Sequence, residues 1–178
     1  MYIPIENFPP AADSSILRAR YNPSVSPRAE RLFADYAEAH RTAGNGVCHA
    51  IGIPMIVASA ILALVSVRLG PVLRAAEPVI ALVAALEMGL DATLGLMFLG
   101  FAAACDVAFR GLVGVIGTGP ALISAAVLFA VGWAFQLVGH AAFEKNRPAF
   151  ARNLRHLLIG PLWIARKVSR RGRSDSAP

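Results

Sequence analysis

Read as apolar and polar positions, the chain divides into a polar head, a long apolar middle and a basic tail. Residues 1–27 are rich in Pro and Ser without periodicity, which predicts an extended arm. From Pro27 to about His40 apolar positions recur at helical spacing, at Leu32, Phe33, Tyr36 and Ala37, with Arg31, Asp35 and Glu38 between them. That pattern predicts an amphipathic helix at a membrane interface. Gly44-Asn45-Gly46 then reads as a break. Ala50–Val67 follows with 18 residues and no charge, close to the minimum for a spanning helix. The run Arg68 to Pro71 ends it.

The stretch 79–109 is mostly apolar but interrupted by Glu87 and Asp91. It fits one long helix or, preferably, a hairpin broken at Gly89-Leu90-Asp91, with Asp91 capping the second helix. Gly111–Gly139 has 29 residues without a charge, and Pro120 suits the first turn of its helix. The expected membrane segments are therefore about 50–68, 75–90, 92–110 and 119–142. Beyond them, Pro148–Ser169 interleaves Arg152, Arg155, Arg166 and Lys167 with Leu154, Leu157, Leu158, Ile159, Leu162 and Trp163. This predicts a second interfacial helix, kinked at Gly160-Pro161. The predicted fold is all-α: one integral membrane bundle over 28–168, with about four transmembrane helices and an amphipathic helix at each end. Residues 169–178 form a basic, disordered tail.

Composition sharpens this picture. The chain is 56% hydrophobic and only 16% charged, with a mean hydropathy of +0.57. A soluble domain carries about 25% charged residues. The net charge of +6 is concentrated in residues 144–178, which hold nine Lys/Arg against Glu144 and Asp175. A basic tail beside apolar helices predicts contact with membrane lipid on the cytoplasmic side. Nucleic acid is not an expected partner, because no aromatic-basic motif accompanies the charge. The N-terminus lacks a basic and apolar leader, so the first transmembrane helix is expected to direct insertion. Cys48 and Cys105 build no disulfide framework and are expected to be reduced and buried.

Four crossings would return the chain to its starting side. His40 and His49 precede the first crossing, His140 ends the fourth, and His156 lies in the tail helix. All four histidines would then share the cytoplasmic interface with both termini, in a bacterial inner membrane. On one unbroken helix, His40 and His49 would stand half a turn apart, since nine residues rotate about 900°. A break between them either brings the imidazoles together or leaves a loop with two solvated histidines. A second cluster, Gln136, His140 and Glu144, recurs at i, i+4 and i+8 along one face of an apolar helix. Polar groups there face a bundle interior and point to function; the structural alternative is a Gln bonded to a neighbouring helix and a His/Glu pair at the water boundary. Asp106 and Arg110 have the i, i+4 spacing of an ion pair. No nucleophilic triad, phosphate loop or zinc spacing appears.

These motifs resemble the fungal and bacterial 2-hydroxy fatty acid dioxygenases, small membrane proteins of phytosphingosine breakdown and fatty acid α-oxidation. The first motif is Tyr36, His40, Asn45, His49, Gly52 and Pro54; the second is Trp133, Gln136, Gly139, His140, Phe143, Glu144, Pro148 and Ala149, followed by Asn153-Leu154 and Pro161. The resemblance implies an Fe(II) enzyme that takes a 2-hydroxy fatty acid and O2 and yields CO2 and a fatty acid one carbon shorter. It implies His40, His49 and His140 as metal ligands; His156 departs from the family pattern and is a candidate fourth ligand by its position on the tail helix alone. Tyr36, Asn45, Gln136 and Glu144 would support the ligands, and Arg41, Arg147 and Arg152 would receive the substrate carboxylate. Imidazole suits Fe(II), and three ligands leave positions open for substrate and O2. Two other readings compete: a b-type haem or electron-transfer bundle with two axial histidines, and a non-enzymatic scaffold or transporter.

Overall fold

The computed structural model describes residues 27–38, 40–144 and 159–166. They form α1 (Pro27–Glu38), α2 (Ala43–Val65), α3 (Ala76–Met88), α4 (Ala92–Ile116), α5 (Thr118–Val138) and a π-helical turn, Gly139–Glu144. Residues 159–166 are also helical and are called α6 here. The all-α membrane bundle expected from the sequence is the observed architecture. The arm at 1–26, the tail from 167, and Arg147, Arg152 and His156 lie outside the described residues.

The pair α2 and α5 forms the spine. They run antiparallel and close together, because glycine meets glycine where they cross. A Cβ on Gly132 would lie 3.0 Å from the Gly52 carbonyl oxygen and 2.8 Å from Ile56 Cγ1. Small residues let backbones approach in this way within membranes, where no hydrophobic force drives helices together. The connection α3–α4 is the expected hairpin. Asp91, in extended conformation, accepts from the Leu94 N–H at 3.0 Å and caps α4. Met88 packs on Gly95 beside that turn, while Glu77 reaches Arg110 at the other end. The helices α2 to α5 therefore alternate in direction, and the first and last histidine motifs share one end of the bundle.

Among the described residues three of the four expected spans have the required length: Ala43–Val65, Ala92–Ile116 and Thr118–Glu144, at 23, 25 and 27 residues. Helix α3 has 13 residues. It covers about 20 Å, short of a hydrocarbon core of roughly 30 Å. The boundaries also move. Helix α4 runs on past Arg110 to Ile116, because that cation is neutralised by Asp106 at 2.8 Å and by Glu77. It stops at Gly117, whose φ of 81° favours glycine. Gly44-Asn45-Gly46 is not a break but the first turn of α2. The break falls earlier, at Arg41-Thr42, where the Thr42 side chain accepts from the Asn45 N–H.

Burial is inverted relative to a soluble protein. Val107, Val115, Ile123 and Val127 are exposed, whereas His40, Asn45, His49, Ser59, Glu87, Gln136 and His140 are buried. Polar groups turned inward and aliphatic groups turned outward are what lipid contact requires. Two apolar cores result. One fills the bundle around Ile61, Leu62, Val65, Ile80 and Ala125; the other joins α1 and α6 to Leu94 through Leu32, Phe33, Tyr36, Ile159 and Leu162. Arg166 fastens α6 to α1, pairing with Glu30 at 2.7 Å and lying 4.6 Å over the Phe33 ring. Both cysteines are free but only half-buried, less enclosed than their apolar neighbours suggested.

Candidate metal centre

Three elements bring His40, His49 and His140 together. His40 stands in the link after α1, His49 is on the second turn of α2, and His140 is on the π-helical turn. The imidazole centroids lie 4.4 Å apart for His40–His49 and 4.9 Å for each pair with His140. One nitrogen from each falls within 4.8 Å of the others, and all three side chains are buried. Among the described residues this is the group able to hold a metal ion.

The hydrogen bonds fix which nitrogen of each ring carries the proton. His40 Nδ1 donates to the Tyr36 carbonyl at 2.5 Å, and His49 Nδ1 donates to the Asn45 carbonyl at 3.0 Å. A neutral imidazole has one N–H, so in both rings Nε2 is then the nitrogen with the lone pair. Those two atoms face each other at 3.0 Å. Two lone pairs at that distance repel unless a cation, a proton or a metal, sits between them. Two nitrogens bonded to one ion at about 2.1 Å and at right angles stand about 3.0 Å apart. His140 adds a third buried imidazole whose Nδ1 has no hydrogen-bond partner among the described residues. The donor set fits a divalent transition metal, and carbonyls that hold the far nitrogens are the usual support for metal-bound histidine.

Aromatic rings close the site from the outside. Tyr36 stacks on His40 at 4.0 Å, and Trp163 of α6 lies 5.5 Å from Tyr36 and 5.6 Å from His40. Burial pushes the Tyr36 phenol well above its usual range, so it keeps its proton.

The supporting residues are arranged differently from the expectation. Glu144 Oε1 accepts from the Thr42 N–H at 2.8 Å, from Thr42 Oγ1 at 3.0 Å and from Asn45 Nδ2 at 3.2 Å. This ties the end of the π-helical turn to the start of α2, where a carboxylate also suits the helix dipole. Asn45 reaches His49 through its main chain, and its side chain goes to Glu144. Among the described residues Gln136 makes no hydrogen bond to an imidazole, and its Nε2, buried beside Gly52, has no partner. Arg41 is exposed and pairs with Glu38 at 3.5 Å. Thr42 was not singled out from the sequence, although a Thr just before an apolar run is an N-cap signal. The contact of Trp163 with His40 had no local signal, since it joins residues from opposite ends of the chain.

A family model described as 2-hydroxy-palmitic acid dioxygenase Mpo1-like matches residues 27–171. The 2-hydroxy-palmitic acid dioxygenase MPO1 of Saccharomyces cerevisiae is 53% identical over 38 residues, 21% of this chain and 22% of the yeast protein. The aligned stretch is thus about a fifth of that relative's length. No solved structure matches the chain. The matched region takes in both histidine motifs, the clasp at Glu144 and helix α6, and by it the chain belongs to the Mpo1-like family.

Proposed function

We propose that this protein is a membrane dioxygenase acting on 2-hydroxy fatty acids. The observation that carries the reading is the buried pair of Nε2 atoms 3.0 Å apart, with both Nδ1 protons committed to carbonyls and a third imidazole beside them. The overall reaction balances as a 2-hydroxy acid plus O2 giving CO2, water and the fatty acid one carbon shorter. The substrate supplies all four electrons, so no 2-oxoglutarate or reductase is needed. His40, His49 and His140 would hold Fe(II), which when bound supplies one-electron access to O2 and a seat for a chelating hydroxy-carboxylate. Tyr36 and Asn45 carbonyls set the tautomers. Glu144 keeps His140 against the two histidines of the other motif. Tyr36 and Trp163 keep water off the imidazoles. Arg41, Arg147 and Arg152 are the candidate cations for drawing in the carboxylate, and His156 remains a candidate fourth ligand.

A bis-histidine haem is disfavoured by the same geometry. Axial nitrogens stand on opposite faces of a macrocycle, and rings only 4.4 Å apart leave no slot for one. We further infer that the site end of the bundle faces the cytoplasm, from the nine cations of residues 144–178. A reporter fused at Pro178 should be cytoplasmic; a periplasmic or lumenal signal would overturn that orientation. The activity is tested by supplying a 2-hydroxy acid, O2 and Fe(II) to the full-length protein with no other reductant. The shortened acid should appear. Strict dependence on 2-oxoglutarate, or no turnover by folded, iron-loaded protein across chain lengths, would refute the reading.

A further inference from the structure

A cavity of about 180 Å³ lies between α2, α4 and α6, and all nine residues lining it are apolar. Its walls include Ile53 and Val57 of α2, Met97 and Phe101 of α4, and Pro161 and Ala165 of α6. It adjoins the three-histidine site in two ways. Ile53 and Val57 continue the stripe of His49 at i+4 and i+8, so the cavity begins one helical turn below that imidazole. On the opposite wall, Gly160 touches both regions. A Cβ there would lie 3.1 Å from Ile53 Cδ1 and 3.5 Å from the Oη of Tyr36, the ring stacked on His40. Helix α6 thus carries Trp163 over the imidazoles and Pro161 and Ala165 over the cavity.

We propose that this cavity seats the acyl chain of the 2-hydroxy acid, with the hydroxy-carboxylate at the histidines. The proposal rests on the dioxygenase reading for the identity of the head group. A volume of about 180 Å³ suits part of one acyl chain and is too small for the paired tails of a bilayer lipid. From His49 to Val57 the helix rises about 12 Å. An extended chain advances about 3.5 Å per three bonds, so roughly ten carbons lie between the histidines and the end of the slot, where the chain meets lipid. A chain entering from the bilayer is already out of water. The groove therefore gains packing rather than hydrophobic burial and selects by shape. Met97 and Phe101 set its far wall, and Val57 its floor.

The test uses full-length protein in lipid nanodiscs and a 2-hydroxy fatty acid carrying a diazirine near mid-chain. Photolysis should label residues in 97–101 or 161–165, and unlabelled 2-hydroxypalmitic acid should compete. Val57→Phe, which fills the slot, should suppress that label and raise the ratio of short-chain to long-chain turnover about ten-fold. Phe101→Ala, which opens it, should move the preference toward longer chains and serves if the plugged variant does not fold. Val107→Phe, on the exposed face of α4, should leave label and ratio as in the parent. Competed labelling of the slot without any turnover would keep the acyl site and refute the dioxygenase reading. Turnover with label spread over lipid-facing residues, or not displaced by competitor, would refute the acyl site alone. An unchanged chain-length ratio in both Val57→Phe and Phe101→Ala would do the same.

Discussion

Replacing Glu144 by Ala should loosen the whole site, though Glu144 is not proposed to touch the metal. One carboxylate oxygen accepts three hydrogen bonds, from the Thr42 N–H, Thr42 Oγ1 and Asn45 Nδ2. Hydrogen bonds to a charged group contribute about 1.5–3 kcal/mol each, but three that share one oxygen do not add. Because Glu144 is only half-buried, a total of about 2–4 kcal/mol is expected, including the interaction with the α2 dipole. In a chain of this size that lowers Tm by about 5–15 °C. The clasp joins Thr42, two residues after His40, to Glu144, four residues after His140. Without it the link before α2 and the π-helical turn can separate, and metal affinity should fall about 10–100-fold, as when ligand-supporting residues are lost. Titration of detergent-solubilised protein with Co(II), read by its visible absorption, gives the Kd, and thermal unfolding gives the Tm. Glu144→Gln keeps an acceptor and should recover part of both. A variant Glu144→Ala with unchanged Kd and unchanged Tm would refute the clasp.

Gly132→Ala should destabilise the bundle by on the order of 1–3 kcal/mol, because the new methyl meets the Gly52 carbonyl and Ile56. Gly100→Ala, where nothing lies within 4 Å, should be neutral or slightly stabilising; equal Tm shifts would refute the close crossing. Glu87 on α3 is fully buried, neither carboxyl oxygen has a partner among the described residues, and burial pushes it up to about 8 from an ordinary value near 4.3. A raised acid contributes its full stability below the unfolded value and loses it as pH rises to the folded one. The Tm of the parent should therefore fall relative to that of Glu87→Gln as pH rises between about 4.3 and 8. An identical slope in both proteins would show that Glu87 is ionised throughout.

Much of this was legible in the chain because lipid imposes strong rules. Charge-free runs marked α2 and α5, and Asp91 before a fresh apolar run marked the hairpin. The alternation of helix directions put the histidine motifs at one end. What the sequence hid was set by tertiary contact. The Gly-Asn-Gly run reads as a loop by local propensity, but Gly44 lies under the Phe143 ring and Asn45 is held by Glu144, so both are helical. Arg110 looked like a helix end until its two carboxylate partners were placed around it. The hairpin reading predicts four spans, yet α3, with only 13 residues, keeps the antiparallel order without the length to span. The Nδ1 bonds that orient His40 and His49 come from main-chain carbonyls, which no side-chain pattern reveals.

The central claim is that His40, His49 and His140 hold one catalytic iron. Its most direct test is elemental analysis of anaerobically purified protein after Fe(II) loading and desalting, for the parent and for His40→Ala, His49→Ala and His140→Ala. The account predicts close to one iron per chain in the parent and little in each folded variant, since few donors remain once one of three is lost. Iron retained at the parental level in any folded variant, or none retained by the folded parent, would contradict it.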